Sequence, residues 1–457
     1  MQLPILKEGV GYLGRSLFLP KSHIQGSILR GTLRFGEDPN GNPRVLVKEH
    51  PNHYEVPRHG LKPAQIDALG ISLVDLRPTF GRIDLAPKGS FSLRKNQTEA
   101  WAALKKADSG ILNLACGKGK TVLGWMKAAH EKVPTLIVSP QRAHLENWLA
   151  ELDQFFDHSE EIGWIQGKRF EYEAGICMST VQTLAKRSID GRLPPDFFRR
   201  FGLVIYDECH CMAAEFFSQA ADVGSGKRIG LSATPNRTDR CEGIFFSHLG
   251  DVFFSDVTQD LKPTIYVVDT GVFYSEKEHK KMHDRTGQIN VGRLRAVLAQ
   301  SKPRNQLIDL VLRDCKDQGR TVYVLSHVVD HVKEMNAKYP GSTLIHGGTK
   351  SDERLEQLNG SDLVFATIGV GKEAYNRKDL DTLLLVTPFA ARAHSAITFQ
   401  QSVGRILRAH PNKKPPVVFL FLDNNVDLCR GMIHSLMKEA KRNGYEVKRN
   451  WRPKQIV

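Results

Sequence analysis

Leu114-Ala115-Cys116-Gly117-Lys118-Gly119-Lys120-Thr121 is the stretch on which the fold turns. It follows the apolar run Gly110–Leu114, which reads as a buried strand, and it opens a stretch of helical composition. A glycine-bearing turn between strand and helix is the setting a phosphate-binding loop requires. Gly117 and Gly119 let backbone N–H groups approach a phosphate, and the N-terminus of the following helix adds a dipole of the right sign. Lys120 is placed to reach the β and γ phosphates, and the Thr121 hydroxyl to ligate Mg2+. Cys116 and Lys118 complete the loop. The strict pattern has glycine at position 114, where this chain has Leu; a purely structural glycine turn is the competing reading.

Downstream, Phe201–Tyr206 forms a second apolar run that ends in Asp207-Glu208-Cys209-His210. Carboxylates at the C-terminal end of a strand lie where α/β sheets bind their ligands. Asp207 is read as the residue that holds Mg2+, and Glu208 as the base that orients and deprotonates an attacking water. Adjacent acids at a strand end often do no more than begin a loop; here they follow a good phosphate loop.

The rhythm around these motifs is that of a parallel α/β protein. Gly110–Leu114, Thr135–Ser139, Gly175–Met178, Leu203–Tyr206 and Arg228–Leu231 read as buried strands separated by helical stretches. It resumes at Ile265–Val268, Thr321–Leu325, Ser342–Ile345, Leu363–Ala366, Thr382–Val386 and Val417–Leu422. Two successive α/β units fit this pattern, over residues 88–260 and 261–457. The charged segment Ser275–Asp284 reads as an exposed helix or linker near their junction, and the helix at about Asp427–Asn443 carries Lys438, Lys441 and Arg442 on a solvated face. Residues 1–87 differ. Ile28–Phe35 and Arg44–Lys48 alternate in polarity around a turn-rich loop at 37–43, and Ile71–Leu76 is another short strand, so a small, mainly β module is expected.

The chain has 457 residues, with 64 Lys and Arg against 50 Asp and Glu, a net charge of +14 that favours polyanionic partners. No run approaches the length of a membrane span, and the first residues lack the basic and apolar regions of a signal peptide. Seven cysteines form no zinc-spaced pair and are read as free thiols of a reducing compartment. Cytoplasmic residence is therefore expected.

Lys120-Thr121 with Asp207-Glu208-Cys209-His210 resembles the DECH-type superfamily 2 helicases, and further motifs occur in that family's order. Leu93–Gln97 looks like the adenine-reading element, with Gln97 as reader. Ser139-Pro140-Gln141-Arg142 and Ser179-Thr180-Val181-Gln182-Thr183 resemble two motifs that contact a nucleic-acid strand. Gly230–Pro235 resembles the motif linking ATP state to grip, and its extension to Asp239 is similar to the XPB, RecG and UvsW-like branch. In the second unit Ser326-His327 and Thr367 match two more strand-contacting motifs, although Ala374 stands where glycine is usual in the latter. Gln401–Arg408 matches the arginine-bearing motif.

The resemblance covers about residues 90–425. It implies two RecA-like units clamping one ATP with Mg2+. Arg405 and Arg408 then act as arginine fingers and Gln401 helps place the water. Pro140, Gln141, Arg142, Ser179, Thr180, Ser326, His327 and Thr367 hold the strand. It also implies a DNA partner, forked or branched as for phage branch-migration helicases of the UvsW kind, with residence in a bacterial host cytoplasm in that case. Other replication or recombination proteins are further candidate partners. An RNA helicase, a translocase that does not separate strands and an ATP-binding adaptor without turnover remain the alternatives. Arg30, Arg34, Arg44 and Lys48 are candidate phosphate contacts of the N-terminal module, against the reading that they solvate an exposed sheet.

Overall fold

A parallel strand is covered on both faces, so it must be apolar along its whole length rather than at alternate positions. That is why the short apolar runs fold as they do in the computed structural model of the protein. It describes residues 7–38, 41–115, 117–210, 218–233, 241–258, 261–349, 361–371, 377–390, 394–408, 410, 413–449 and 451. The chain divides into two compact units, Met1–Val257 and Thr258–Val457.

Among the described residues the main sheet of the first unit has eight strands. Their order is Arg169–Phe170, Ile162–Gln166, Ile176–Thr180, Thr135–Ser139, Leu203–Asp207, Lys227–Ser232, Ser109–Leu114 and Val252–Asp256. All neighbours are parallel except the first pair. Alternate side chains feed two cores. Leu136, Val138, Val204 and Tyr206 pack on one face, and Ile137, Leu203 and Ile205 on the other. The sheet of the second unit is parallel throughout, in the order Thr343–Ile345, Leu363–Thr367, Val322–Ser326, Thr382–Leu385, Val417–Leu422, Thr264–Asp269 and Glu446–Arg449. In both units the first strand of the α/β region sits beside the sixth of its parallel strands in chain order. The two halves therefore share a RecA-like order that no sequence repeat announces.

The strands expected in the two α/β units all form, within one or two residues of their expected ends. In the two large sheets four others were not anticipated: Ile162–Gln166, Arg169–Phe170, Val252–Asp256 and Glu446–Arg449. Each lies at or next to a sheet edge, where one side of the strand meets solvent and the apolar run is broken by polar residues. Segment 275–284 holds the helix Glu276–Met282, capped by Ser275 and Glu278. The last long helix is Asp427–Arg442. The cysteines at 177, 209, 241, 315 and 429 are buried free thiols.

The N-terminal region is a five-stranded sheet in the order Lys48–Glu49, His53–Val56, Leu17–Pro20, Val10–Leu13 and Ser72–Asp75. Two expectations are corrected here: Arg44–Lys48 is divided between Pro43–Val45 and Lys48–Glu49, which belong to different sheets. Ile28–Phe35 is not one strand, because Gly26–Thr32 is a helix and only Arg34–Glu37 is extended, pairing with Pro43–Val45 across the expected turn. Buried Leu29 and Leu33 lie four apart, the spacing of one helical face, while Ile28 is exposed. Over eight residues that pattern passes for alternation.

This sheet belongs to the same compact unit as the phosphate loop. Arg58, buried, joins them. Its guanidinium donates to Gly14 O (2.8 Å) on one side and to Ser225 O (2.7 Å) and Gly226 O (2.5 Å) on the other. Arg228, also buried, donates to Gly224 O at 2.8 Å and back to Arg15 O at 2.5 Å. Burial and the neighbouring Arg228 cation pull Arg58 well below the usual arginine range, and its hydrogen bonds all go to backbone carbonyls. Arg58→Met is expected to cost on the order of 3 kcal/mol by stranding these carbonyls, read as a lower denaturant midpoint. An unchanged midpoint would show that the two sheets do not depend on this joint.

Candidate nucleotide site and its strand-contact edge

The parallel strands of the first unit end in register: Ser139 opposite Thr180, Asp207 opposite Leu231 and Leu114 opposite Asp256. This aligns the motifs along one sheet edge, the crevice in which open α/β sheets hold ligands.

The loop at 115–119 leads into the helix Lys120–Glu131. Gly117 and Gly119 adopt φ of 86° and 76°, conformations that cost an L side chain energy. Gly119 is constrained twice over, since a Cβ there would meet Gln97 Nε2 at 2.1 Å. Gln97 is buried. Its Nε2 donates to Lys118 O at 3.2 Å and its Oε1 accepts from Arg94 N at 2.9 Å. One N–H and one lone pair of the amide remain for a base edge. The expected adenine reader is thus also a brace of the phosphate loop. Lys120 Nζ donates to Leu114 O at 3.2 Å, at the mouth of the loop. Thr121 is half-buried in the first helical turn, and Cys116 lies outside the described residues.

Asp207 ends its strand and accepts from Trp148 Nε1 at 3.2 Å. Burial, then the adjacent Glu208 charge, raise the Asp207 carboxyl above the usual range, opposed by His144 and Lys120. Two carboxylates side by side in a half-buried position are a site that a divalent cation would relieve. The residues therefore fit Mg2+, with Asp207 and Thr121 as the groups that would hold it. Glu208 has φ 48°, rare outside glycine, and strain of this kind gathers at functional sites. Its Oε2 lies 3.5 Å from His210 Nδ1, and that nitrogen lies 3.2 Å from Ser232 Oγ at the end of the next strand. His210 thus bridges the candidate base and the motif at 230–235; Thr234 to Asp239 lie outside the described residues.

Sequence reasoning missed the role of Trp148. An indole in an amphipathic helix reads as core, and it is core: it meets Trp125 edge to face, with ring centroids 5.3 Å apart. It comes close only because position 124 is glycine, where a Cβ would meet its ring at 2.4 Å. No spacing rule could have shown that its N–H reaches Asp207.

The strand-contact candidates separate into two kinds. Pro140, Gln141 and Thr180 are partly exposed and Arg142 is exposed, paired with Glu146 at 2.9 Å, so these face outward. Ser179 and Ser326 are corrections. Both are buried, with hydroxyls committed to Ile165 O (2.8 Å) and to His331 Nδ1 (3.2 Å), so their side chains anchor strand ends and are not available to a ligand. Thr180 caps the helix Val181–Ile189 through Thr183 N. His327 is tied by Nδ1 to Thr387 Oγ1 at 2.8 Å, and Thr367 is buried at its strand end. Ala374 lies outside the described residues.

In the second unit Gln401 and Arg405 lie on the helix His394–Arg405 and Arg408 in the turn after it. The spacing of four keeps Gln401 and Arg405 on one face of the helix. All are partly exposed, while Phe399, Val403, Ile406 and Leu407 fill the core behind them. Lys413 donates to Arg408 O at 2.8 Å, steadying that turn. The basic candidates of the N-terminal sheet have partners at hand: Arg30 with Glu49, Arg34 with Glu37, and Lys48 with Glu55. Arg44 approaches Cys241 Sγ at 3.7 Å.

Residues 90–237 match the family model of the type III restriction enzyme res subunit. The chain is 26% identical over 358 residues to "Putative ATP-dependent RNA helicase L396" of Acanthamoeba polyphaga mimivirus, covering 76% of this chain and 66% of that protein. It is 27% identical over 334 residues to "DNA 3'-5' helicase XPB" of Kineococcus radiotolerans, covering 71% and 58%. It is 25% identical over 379 residues to "Probable helicase D10" of Escherichia phage T5, covering 77% and 76%. The chain thus spans about six to seven tenths of the length of the first two. Over about seven tenths of its length the chain is thus similar to proteins named as helicases, and residues 90–237, which hold the phosphate loop and the carboxylates, are the part that the family model matches.

Proposed function

We propose that this protein is an ATP-dependent DNA motor that unwinds or branch-migrates forked and four-way DNA. The observation that carries the reading is the meeting of Lys120, Asp207 and Glu208 on one sheet edge, with His210 linking Glu208 to Ser232. That arrangement serves hydrolysis of a nucleotide, and it argues against an adaptor that binds ATP without turnover.

In the reading we favour, the backbone N–H groups of the loop and Lys120 bind the triphosphate. Bound Mg2+ supplies charge neutralisation at the phosphates, held by Asp207 and Thr121. Glu208 accepts a proton from the attacking water, and Arg405 and Arg408 approach the γ-phosphate from the second unit when the units close on ATP. Pro140, Gln141, Arg142 and Thr180 grip phosphate and sugar, contacts that carry little sequence information. The +14 charge supports a polyanionic track, and binding weakens steeply as salt rises.

Two relatives are named as a DNA helicase and a phage helicase, which supports DNA; the mimivirus relative is named as an RNA helicase, which keeps RNA as the second reading. The test compares unwinding of a synthetic four-way junction with a linear duplex, alongside ATPase stimulation by single-stranded DNA, branched DNA and RNA. Faster processing of the junction is expected. Stimulation by RNA alone would replace the DNA reading, and ATPase without strand separation would make the chain a translocase.

A further inference from the structure

Lys118 sits in the middle of the phosphate loop, yet its ammonium is spent inside the protein. It pairs with the carboxylate of Asp256, the last residue of the edge strand Val252–Asp256. The pair is well shielded, with side chains 6% and 23% exposed. The same two elements are joined again by the backbone: Ala115 N donates to Asp256 O at 3.0 Å, and Asp256 stands opposite Leu114 in the ladder. One residue earlier, Asn113 Nδ2 donates to Ser255 Oγ at 2.8 Å. From the other side Gln97 holds the Lys118 carbonyl. Lys118 is therefore pinned at both ends, its backbone by Gln97 and its ammonium by Asp256.

The physical consequence is preorganisation. A loop with two left-handed glycines loses much conformational entropy when it is ordered, and a ligand that must order it binds more weakly. A shielded ion pair that is already in place removes part of that cost, and breaking one half of it leaves a charge in a poorly solvated position. The position of Asp256 adds a second consequence. Val257 is the last residue of the first compact unit, so the chain passes into the second unit directly from the residue that holds the loop.

We infer that Asp256 is a positioning residue for the nucleotide. Through Lys118 it keeps the phosphate loop in its binding conformation, and it ties that loop to the segment that leads into the second unit. The inference rests on the nucleotide-binding reading above and goes beyond it by assigning a residue outside every motif that carried that reading.

The test uses the full chain, a fluorescent ATP analogue with Mg2+, and four proteins: wild type, Asp256→Asn, Lys118→Met and the double variant. Asp256→Asn is expected to weaken analogue binding about tenfold. Turnover at saturating ATP stays within roughly twofold, because the chemistry is untouched. The double variant binds no more weakly than the weaker single one, since both act through one contact. In wild type a non-hydrolysable ATP analogue slows amide exchange over residues 252–262, and in Asp256→Asn it does not. Lys118→Met removes the other half of the pair from a different element, so the inference stays testable if Asp256→Asn does not fold. Unchanged affinity in a folded Asp256→Asn protein, independent addition of the two effects, or a loss confined to turnover would each overturn it. If wild type binds no nucleotide, the nucleotide-binding reading fails and this inference falls with it; if wild type binds and Asp256→Asn binds equally well, this inference alone fails.

Discussion

Exchanging Glu208 for Gln is expected to lower ATP turnover by about a hundred- to ten-thousandfold, with ATP still bound. The substitution keeps the size and shape of the side chain and removes the ability to take a proton from water. The strained backbone at 208, φ 48°, is set by Asp207 at the strand end and by the turn that follows, so the glutamine is held as the glutamate was. His210 keeps its link to Ser232. The loss therefore falls on turnover and spares nucleotide affinity and nucleic-acid binding. Lys120→Ala gives the complementary pattern, with affinity and turnover both lost, because the ammonium acts on the bound phosphates. Single-turnover hydrolysis beside equilibrium binding of a fluorescent analogue separates the two. A Glu208→Gln protein that unwinds DNA at the wild-type rate would remove the base assignment.

Arg405→Ala is expected to lower the hydrolysis rate by about a thousandfold, within the range for arginines that stabilise a transferring phosphoryl group. Arg405 ends its helix and is partly exposed, while Val403, Ile406 and Leu407 form the core behind it, so the loss of its side chain leaves the second unit folded. Lysine at 405 is not expected to rescue, because a point charge lacks the planar fork that engages phosphate oxygens in pairs. The distinguishing feature is location: 405 belongs to the second compact unit and the phosphate loop to the first. A large fall in hydrolysis with unchanged thermal midpoint supports catalysis shared by the two units. Hydrolysis within a few-fold of wild type would confine the chemistry to the first unit and end the two-unit reading of the motor.

Much of this site was legible before any coordinates. Lys120, Thr121, Asp207 and Glu208 were readable because phosphate chemistry demands particular residue types at short spacing, and short spacing survives in one dimension. The strands were readable because two-sided burial writes a continuous apolar run. The edge strands Val252–Asp256 and Glu446–Arg449 were not, since they are only partly covered and their composition is mixed. The helix Gly26–Thr32 is not legible as one because about two turns of helix and a short strand bury residues at nearly the same positions.

The amino-acid sequence by itself determined the outline of the protein: two parallel α/β units, a phosphate loop with its acidic partner, and a motif with two arginines three residues apart. These depend on local periodicity and on neighbours within a few residues. Only the tertiary structure decided which polar groups are used up inside the protein. It committed the hydroxyls of Ser179 and Ser326 inward, set Trp148 on Asp207, bolted the N-terminal sheet to the first unit through Arg58, and gave Lys118 to Asp256. Those pairings join residues as far apart as 168 positions, and a hydrogen bond or ion pair needs only proximity in space, which no spacing along the chain encodes.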